Sequence, residues 1–305
     1  MIRKHNRRAA KAAFAIALGV AIVLGGAAAA PAALEKQQAT PIIVGTKNFP
    51  EQYVLGQLYK QALEAKGFRV QYKENIGSTE LIDASLRSGR VTLYPEYTGI
   101  MLSVTFKRKT LPKSARGTYL AAKAAYERRG QTLLKATPFQ DRDGIAVLRT
   151  TATRYGLKTV GDLRKVPELT LAAFPEFETR WLPQLASRYG VRNVEFTALA
   201  GISAYTLLSQ GKVEAAGIFT TDPQLISTKY VVLKEPRNMF GFQQVAPVLS
   251  RKLVSEYGTR LTSTLNRVNS LLTLRAMIAM NKAVALDKKP AAAVARAFLK
   301  ANKLS

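Results

Sequence analysis

The chain has 305 residues, 47% of them hydrophobic, and a formal net charge of +26 at pH 7. This composition excludes a disordered chain, and the length favours two domains over one core. The sequence has no cysteine, and its single histidine, His5, lies near the N-terminus. Disulfides, cysteine nucleophiles and metal sites built from cysteine or histidine are therefore excluded, and no metal ion or cofactor is predicted.

The first 29 residues have the three parts of a secretory signal peptide. Five basic residues between Arg3 and Lys11 precede an uncharged apolar run over 12–30 that ends in small residues. This order predicts export with cleavage after Ala29. An uncleaved membrane anchor is the alternative, because the run is barely long enough to span a bilayer. Since no cysteine is present for lipid attachment, we expect a freely diffusing periplasmic protein.

The predicted elements that follow form a pattern that occurs twice. Each copy reads strand, helix, strand, helix, strand, which is typical of an α/β lobe. The first copy begins at Phe49-Pro50-Glu51 and the second at Phe174-Pro175-Glu176, and the glycines after their helices recur at nearly the same intervals. Two similar lobes in one chain predict a cleft between them, where small ligands usually bind.

Polar and aromatic residues follow the predicted strands of the first copy. Asn48 and Glu51 have the spacing of a capping box, and Pro50 suits the first turn of a helix. We therefore expect Lys47 beside a positive helix end, where it could help to hold an anionic group. The candidate residues of this copy are Lys47, Asn48, Ser78, Thr79, Tyr94, Tyr97 and Thr98.

The second copy has similar residues at equivalent positions. Arg180 lies one turn into the helix after strand 169–172, and Phe219, Thr221 and Asp222 follow strand 213–218. Ligands of open α/β sheets bind beyond the carboxyl ends of the strands. A single aromatic residue there usually belongs to the core, but several on equivalent loops predict a ligand site.

Three segments, 44–53, 75–79 and 94–99, resemble the substrate-binding proteins of osmoprotectant ABC importers. The resemblance continues at 175–180, at 221–222 and up to 246–248. It implies an α/β, two-lobed type II periplasmic-binding-protein fold with two hinge crossings and an interlobe ligand cleft. The expected lobe 1 comprises residues 30–140 and 245–305, with the helices after Ser250 packed on it, and lobe 2 comprises residues 141–244.

The resemblance also implies how a ligand would be held. That family takes up glycine betaine, choline, carnitine and related quaternary ammonium compounds, which lack N–H donors and are best held by aromatic faces. By motif position, Tyr94 and Tyr97 are the expected cage walls. Lys47, Thr98 and Arg180 are the expected partners of a ligand carboxylate.

The sequence departs from that family's pattern at three places. Asp143 stands where many members have a tyrosine, and Phe219 begins the segment that usually reads Tyr-Ser-Thr-Asp. Phe242 and Gln243 occupy the neighbourhood of a later cage tyrosine. An acid at position 143 favours a ligand with exposed positive charge, so another cationic or zwitterionic molecule, such as an amino acid, is the alternative ligand.

The sequence therefore predicts a monomeric periplasmic receptor, not an enzyme. It would deliver a quaternary ammonium or zwitterionic solute to an ABC permease in the inner membrane, which a separate ATPase drives. The basic residues are dispersed, so no nucleic acid partner is predicted. Three alternatives remain: the sensing domain of a regulator, a periplasmic enzyme using Glu96 and Asp222, and an envelope protein that binds polyanions.

Overall fold

A computed structural model describes residues 39–305. The predicted signal peptide, residues 1–29, lies outside the described residues. Within residues 39–305, the structure has no helix that is both long enough and apolar enough to cross a membrane. The described part of the chain forms one compact unit.

The secondary structure alternates strands and helices, as the sequence predicts. The strands are β1 (Ile42–Gly45), β2 (Val70–Lys73), β3 (Leu93–Tyr97), β4 (Gln131–Leu133), β5 (Asp143–Leu148), β6 (Leu169–Ala173), β7 (Val194–Ala198), β8 (Ala215–Phe219), β9 (Tyr230–Val232) and β10 (Val245–Ser250). The helices are α1 (Pro50–Glu64), α2 (Thr79–Arg87), α3 (Thr98–Ile100), α4 (Ala115–Glu127), α5 (Arg149–Tyr155), α6 (Glu176–Tyr189), α7 (Ala204–Ser209), α8 (Arg251–Leu271), α9 (Leu274–Ala285) and α10 (Ala291–Ala301), with further helical turns at Met101–Thr105, Val160–Lys165 and Pro223–Ile226.

The first sheet has the strand order β2-β1-β3-β10-β4. Strands β1, β2 and β3 are parallel, whereas β10 runs antiparallel to both β3 and β4. Every residue of β1 and β3 is buried, because helices cover both faces of the sheet. Alternate residues enter two separate cores: Val44 and Leu93 on one face, and Ile43 and Tyr94 on the other.

The second sheet repeats this arrangement with the order β7-β6-β8-β5-β9. Strands β6, β7 and β8 are parallel, and β5 is antiparallel to its neighbours β8 and β9. Strands β1, β2 and β3 thus correspond to β6, β7 and β8, and β10 corresponds to β5. The repeat predicted from the sequence is confirmed by two sheets of identical order and direction.

The chain passes between the two sheets twice, through residues 134–142 and 233–244. These crossing segments pair with each other: Gln140 and Gln244 form an antiparallel bridge, and the Asp141 N–H donates to the Gln243 carbonyl at 3.1 Å. The Gln243 N–H donates to Gln140 Oε1 at 3.1 Å. The junction between the sheets is therefore a two-stranded ribbon with its own hydrogen bonds.

The C-terminal helices return to the first sheet, as expected from the sequence. Leu253 and Leu265 of α8 and Leu299 of α10 share a core with Ile42 and Leu55 of the first half. Helix α9 also packs against the turn Pro223–Ile226, which follows β8 of the second sheet. The last helices therefore contact both halves of the molecule.

Candidate ligand-binding site

Lys47, at the carboxyl end of β1, is held by a carboxylate and two aromatic rings. Its Nζ lies 2.5 Å from Glu96 Oε1 and 3.3 Å from Thr79 Oγ1, and all three residues are buried. The same Nζ lies 4.6 Å from the centroid of the Tyr97 ring and 5.5 Å from that of Phe49. This edge of the first sheet thus binds an ammonium group, that of its own lysine, by charge and by aromatic faces.

This pairing shows how two residues predicted to contact a ligand carboxylate are held within the protein. Lys47 is only 5% exposed, and its charge is compensated by Glu96. Thr98 is fully buried, and its hydroxyl donates to the Phe242 carbonyl at 3.2 Å. Both Lys47 and Thr98 are buried and use their donors inside the protein.

Tyr94, a predicted cage wall, packs in the core. Its ring is fully buried, and its hydroxyl is 2.9 Å from that of Tyr126. Successive side chains of a strand point to opposite faces, so residues three apart in β3 cannot line one surface together. Tyr97 packs in the core on the other face of the sheet, where it stacks on Phe49 at 6.2 Å between ring centroids.

The predicted capping box at the start of α1 does not form. The helix begins at Pro50 after Phe49, without a side-chain capping bond, and Asn48 is exposed. Glu51 instead accepts hydrogen bonds from the Tyr97 hydroxyl at 2.9 Å and from Asn281 Nδ2 at 2.8 Å. Burial raises the pKa of Glu51, although these hydrogen bonds oppose the increase.

Ser78 is not part of the buried group around Lys47. It is exposed, and its hydroxyl donates to Glu80 Oε2 at 2.7 Å. Its neighbour Thr79 is buried and contacts Lys47. The loop after β2 therefore contributes Thr79 to the candidate site, whereas Ser78 stabilises the first turn of α2.

Asn281 of α9 connects the two halves of the candidate site. Its Nδ2 donates both to Glu51 and, at 3.0 Å, to the carbonyl of Thr221, which follows β8. The neighbouring Asp222 accepts hydrogen bonds from the Tyr205 hydroxyl and from the Phe219 N–H, each at 3.0 Å. The predicted pair Thr221 and Asp222 thus lies beside the Glu51 group of the first sheet.

Buried carboxylates accumulate at this junction. Burial raises the pKa of Asp222 to about 6, against opposing hydrogen bonds from Phe219 and Tyr205. Burial, together with the charge of Glu51, raises the pKa of Asp141 well above its usual range. The Oδ1 atom of Asp141 is buried without a hydrogen-bond partner among the described residues. The junction therefore carries several carboxyl groups that take up protons readily.

The second sheet presents an open aromatic surface. Phe219, at the end of β8, is 44% exposed and stacks on Phe174 with parallel rings whose centroids are 5.5 Å apart. Phe219 is the register partner of Asp143 on the antiparallel strand β5. Directly opposed residues of antiparallel strands project from the same face. An exposed ring and a carboxylate therefore stand side by side.

Arg180 and Trp181 of α6 complete this second group. The Trp181 Nε1–H donates to Asp143 Oδ2 at 3.1 Å, and the exposed Arg180 guanidinium lies 5.8 Å from the Trp181 ring. Burial raises the pKa of Asp143 to about 6, while the charge of Arg180 and the Trp181 hydrogen bond oppose the increase. The structure thus brings together three predicted residues, Asp143, Arg180 and Phe219.

Phe242 and Gln243 lie in the second crossing segment and anchor it to the first sheet. Gln243 Oε1 accepts hydrogen bonds from the N–H groups of Gly99 and Ile100, at 3.0 and 3.1 Å. The approach requires glycine at position 99, because a Cβ there would lie 2.7 Å from the Phe242 carbonyl oxygen. Both predicted residues are half-buried, and the Gln243 side chain has a structural partner.

The sequence-based site omitted residues that the structure brings to it. Phe174 and Glu96 belong to the motifs Phe-Pro-Glu and Tyr-Pro-Glu-Tyr, so their positions at strand ends could have identified them. Trp181 follows Arg180 directly in α6. Asn281 had no local signal, because it comes from a C-terminal helix that is remote in sequence from every motif.

Comparison with known proteins gives consistent matches. A family described as the substrate binding domain of the ABC-type glycine betaine transport system matches residues 40–301. The chain is 29% identical to the glycine-betaine-binding protein of Pseudomonas aeruginosa, over 88% of this chain and 89% of that protein. It is 27% identical to the glycine betaine-binding protein YehZ of Escherichia coli, over 89% of this chain and 93% of that protein.

The fold is also similar to those of solved structures. Apo YehZ from Escherichia coli aligns with a TM-score of 0.75 at 26% sequence identity, covering 88% of this chain and 100% of that one. This likeness, together with the two equivalent sheets, confirms the two-lobed type II periplasmic-binding-protein fold expected from the sequence.

Proposed function

Because the chain belongs to the family of substrate-binding domains of ABC-type glycine betaine transport systems, we propose that it captures quaternary ammonium or zwitterionic solutes for an ABC importer. Members of this family are receptors and not enzymes. Glycine betaine and choline are the first candidate ligands, since relatives that match most of this chain are named for glycine betaine binding.

The observation that carries this proposal is the pairing of Phe219 with Asp143. A quaternary ammonium group has no N–H donor, so the partners it can use are aromatic faces and negative charge, and each aromatic contact contributes ~0.5–2 kcal/mol. Phe219 offers an exposed face and Asp143 a carboxylate on the same side of the second sheet. In the first half, the ammonium group of Lys47 already lies over the rings of Tyr97 and Phe49, which is a contact of the same kind.

The ligand carboxylate, where one is present, would bind to Arg180. Arg180 is exposed, whereas the charge of Lys47 is compensated by Glu96. A charge-assisted bond to a guanidinium is among the stronger polar contacts available. Arg180 would therefore distinguish a zwitterion such as glycine betaine from a simple cation such as choline.

We also propose the wider setting of the receptor. The division into residues 30–140 with 245–305, and 141–244, would let two lobes close on the ligand about the crossing ribbon. Closure requires that the ligand contact both lobes, because only differential affinity shifts such an equilibrium. An exported, monomeric periplasmic protein that delivers its ligand to a permease with a separate ATPase agrees with the N-terminal sequence and the family.

The proposal predicts that loss of Arg180 changes selectivity. Arg180→Gln should weaken glycine betaine binding about tenfold or more and leave choline binding nearly unchanged, because only glycine betaine has a carboxylate. Isothermal titration calorimetry of both ligands measures the effect.

Arg154→Gln is the matched control for this experiment, since Arg154 is an exposed arginine of the same half that lies 5.9 Å from the ring of its neighbour Tyr155. It should leave the binding of both ligands unchanged. Equal weakening of choline and glycine betaine by Arg180→Gln would contradict the assignment of Arg180. Failure of the unmodified protein to bind either ligand would contradict the proposed function itself.

A second candidate function is binding of a different cationic or zwitterionic solute, such as an amino acid. Asp143 favours it, because a carboxylate can accept N–H bonds that a quaternary ammonium cannot donate. The same titrations with basic and neutral amino acids separate the two candidates. Saturable binding of an amino acid without binding of choline or glycine betaine would select the second.

A further inference from the structure

We propose that the second half of the molecule carries a separate anion-binding pocket for phosphate groups, at the C-terminal end of α6. The pocket is a surface cavity of about 410 Å³, large enough for a small ligand. Its walls come from the turn Val160–Lys165, the last residues of α6 and the segment after β9.

Three arginines line this cavity: Arg164, Arg188 and Arg237. All three are exposed, and none forms an ion pair with a carboxylate among residues 39–305. Three guanidinium groups around one cavity, without a paired carboxylate, create a positive potential that attracts anions. Planar guanidinium groups match the geometry of phosphate oxygens and bind them through two parallel hydrogen bonds.

One acidic residue, Asp162, lines the cavity, and Glu235 precedes its lining residue Pro236, but both carboxylates have other partners. Asp162 pairs with Lys165 at 2.7 Å and accepts hydrogen bonds from the N–H and hydroxyl of Thr159. The buried Glu235 accepts hydrogen bonds from the Tyr189 hydroxyl and the Arg237 and Met239 N–H groups. Neither carboxylate therefore neutralises the arginines by direct contact.

A simpler role for these arginines is to bind nearby backbone carbonyls, one of them at the C-terminal end of α6. Arg237 donates to the carbonyl of Arg188, Arg188 donates to the carbonyl of Arg237 at 3.4 Å, and Arg164 donates to the carbonyl of Gly161 at 3.0 Å. Each guanidinium has five N–H donors, so these bonds leave most donors unused. These backbone contacts orient the three groups, and the remaining donors are available to an anion.

The pocket is distinct from the proposed solute site. Arg188 and Arg180 are both on α6, eight residues apart, which corresponds to about 12 Å along the helix axis. Arg188 lines the pocket, whereas Arg180 belongs to the group around Asp143. The shared chemistry of the expected ligands is a phosphate group, either free in solution or on the headgroup of an anionic lipid.

The test is titration of the protein with pyrophosphate at physiological salt. We expect saturable binding, which Arg164→Gln and Arg188→Gln should each weaken about tenfold, since glutamine keeps a hydrogen-bond donor but loses the charge. The control is Arg296→Gln, an exposed arginine of α10 in the other half that changes the net charge equally. The control should bind pyrophosphate like the unmodified protein.

A second measurement identifies the source of the phosphate. If the site binds lipid headgroups, vesicles containing phosphatidylglycerol should retain the unmodified protein and should not retain the Arg164→Gln/Arg188→Gln double variant. Pyrophosphate binding without vesicle binding indicates a soluble ligand. Binding of neither probe, or equal losses in Arg296→Gln and the pocket variants, would overturn the proposal. Choline and glycine betaine titrations should be unaffected by the pocket variants, so this result is independent of the proposed solute binding.

Discussion

The two halves of the candidate ligand-binding site use their charged groups differently. In the first half, Lys47 and Glu96 form a buried pair, and Glu51 is bound by Tyr97 and Asn281. In the second half, Arg180 is exposed to solvent. The first half thus pairs its charged groups internally, whereas the second half keeps charge available to a ligand.

The same difference holds for the aromatic residues. Tyr97 is 4% exposed and already contacts the ammonium of Lys47, while Phe219 is 44% exposed with one face on Phe174. A preorganised half binds without losing conformational freedom, and an exposed half can adapt its contacts. We infer that substitutions in the first half affect stability most, and that substitutions in the second half affect affinity and selectivity.

The largest expected effect is on stability, from Glu96→Gln. The substitution leaves the Lys47 ammonium buried without a compensating charge, and breaking a buried ion pair in this way costs about 3–5 kcal/mol. The free energy of unfolding, measured by urea denaturation, should fall by about that amount.

Glu64→Gln is the control, because Lys60 and Glu64 form an exposed pair one turn apart on α1. Its expected cost is below about 1 kcal/mol, as for other surface pairs. Similar losses for Glu96→Gln and Glu64→Gln would show that the first half does not depend on its internal ion pair.

The next effect concerns Asp143 and the pH dependence of stability. Its pKa is raised from 3.8 to about 6, so between these values the folded state binds a proton that the unfolded state releases. The stability gained from this bound proton is fully present below about pH 4 and is lost as the pH rises through about 6. The shift corresponds to roughly 2–3 kcal/mol. Asp143→Asn should therefore be more stable than the unmodified protein at pH 7 and should show a smaller decrease from pH 4 to 7.

Asp162→Asn provides a control of opposite sign. Hydrogen bonds from Lys165 and Thr159 lower the pKa of Asp162, so its contribution is present at neutral pH and is lost as the pH falls through the low folded-state value. Replacing it should lower stability at pH 7. If Asp143→Asn also lowered stability at pH 7, the carboxylate of Asp143 would be a structural charge and not one kept available for a cation.

Much of the fold could be predicted because its signals are local. The Phe-Pro-Glu motifs and the glycines after the helices mark equivalent points of two lobes, and the structure has the same strand order in both sheets. The residues after β8 could be located for the same reason, since they directly follow a buried strand. The sequence predicts that both Tyr94 and Tyr97 line the site, whereas the two-residue period of the strand places their rings in different cores of the first sheet.

The partners of the predicted residues could not be read from the sequence. Glu51 binds Asn281, 230 residues later, and the packing that brings them together depends on how the C-terminal helices return to the first sheet. Lys47 and Glu96 both follow or end predicted strands, but their pairing depends on which side chains share the space beyond neighbouring strand ends. Motifs therefore identify where a site lies more reliably than which of its charges remain unpaired.

The smallest expected effect is on ligand affinity, from Phe219→Ala. Loss of one ring face that contacts the ammonium group should weaken choline binding about tenfold, which corresponds to ~1.4 kcal/mol. Unfolding free energy should change little, since the ring is partly exposed. Phe219→Tyr should keep the choline affinity, because tyrosine retains the aromatic ring face. Leu81 is an apolar residue of the first half that is 55% exposed, and Leu81→Ala should change neither the choline affinity nor the unfolding free energy. A stability loss in Phe219→Ala without a change in choline affinity would place Phe219 with the buried aromatic core, and the contrast between the two halves would then not extend to their aromatic residues.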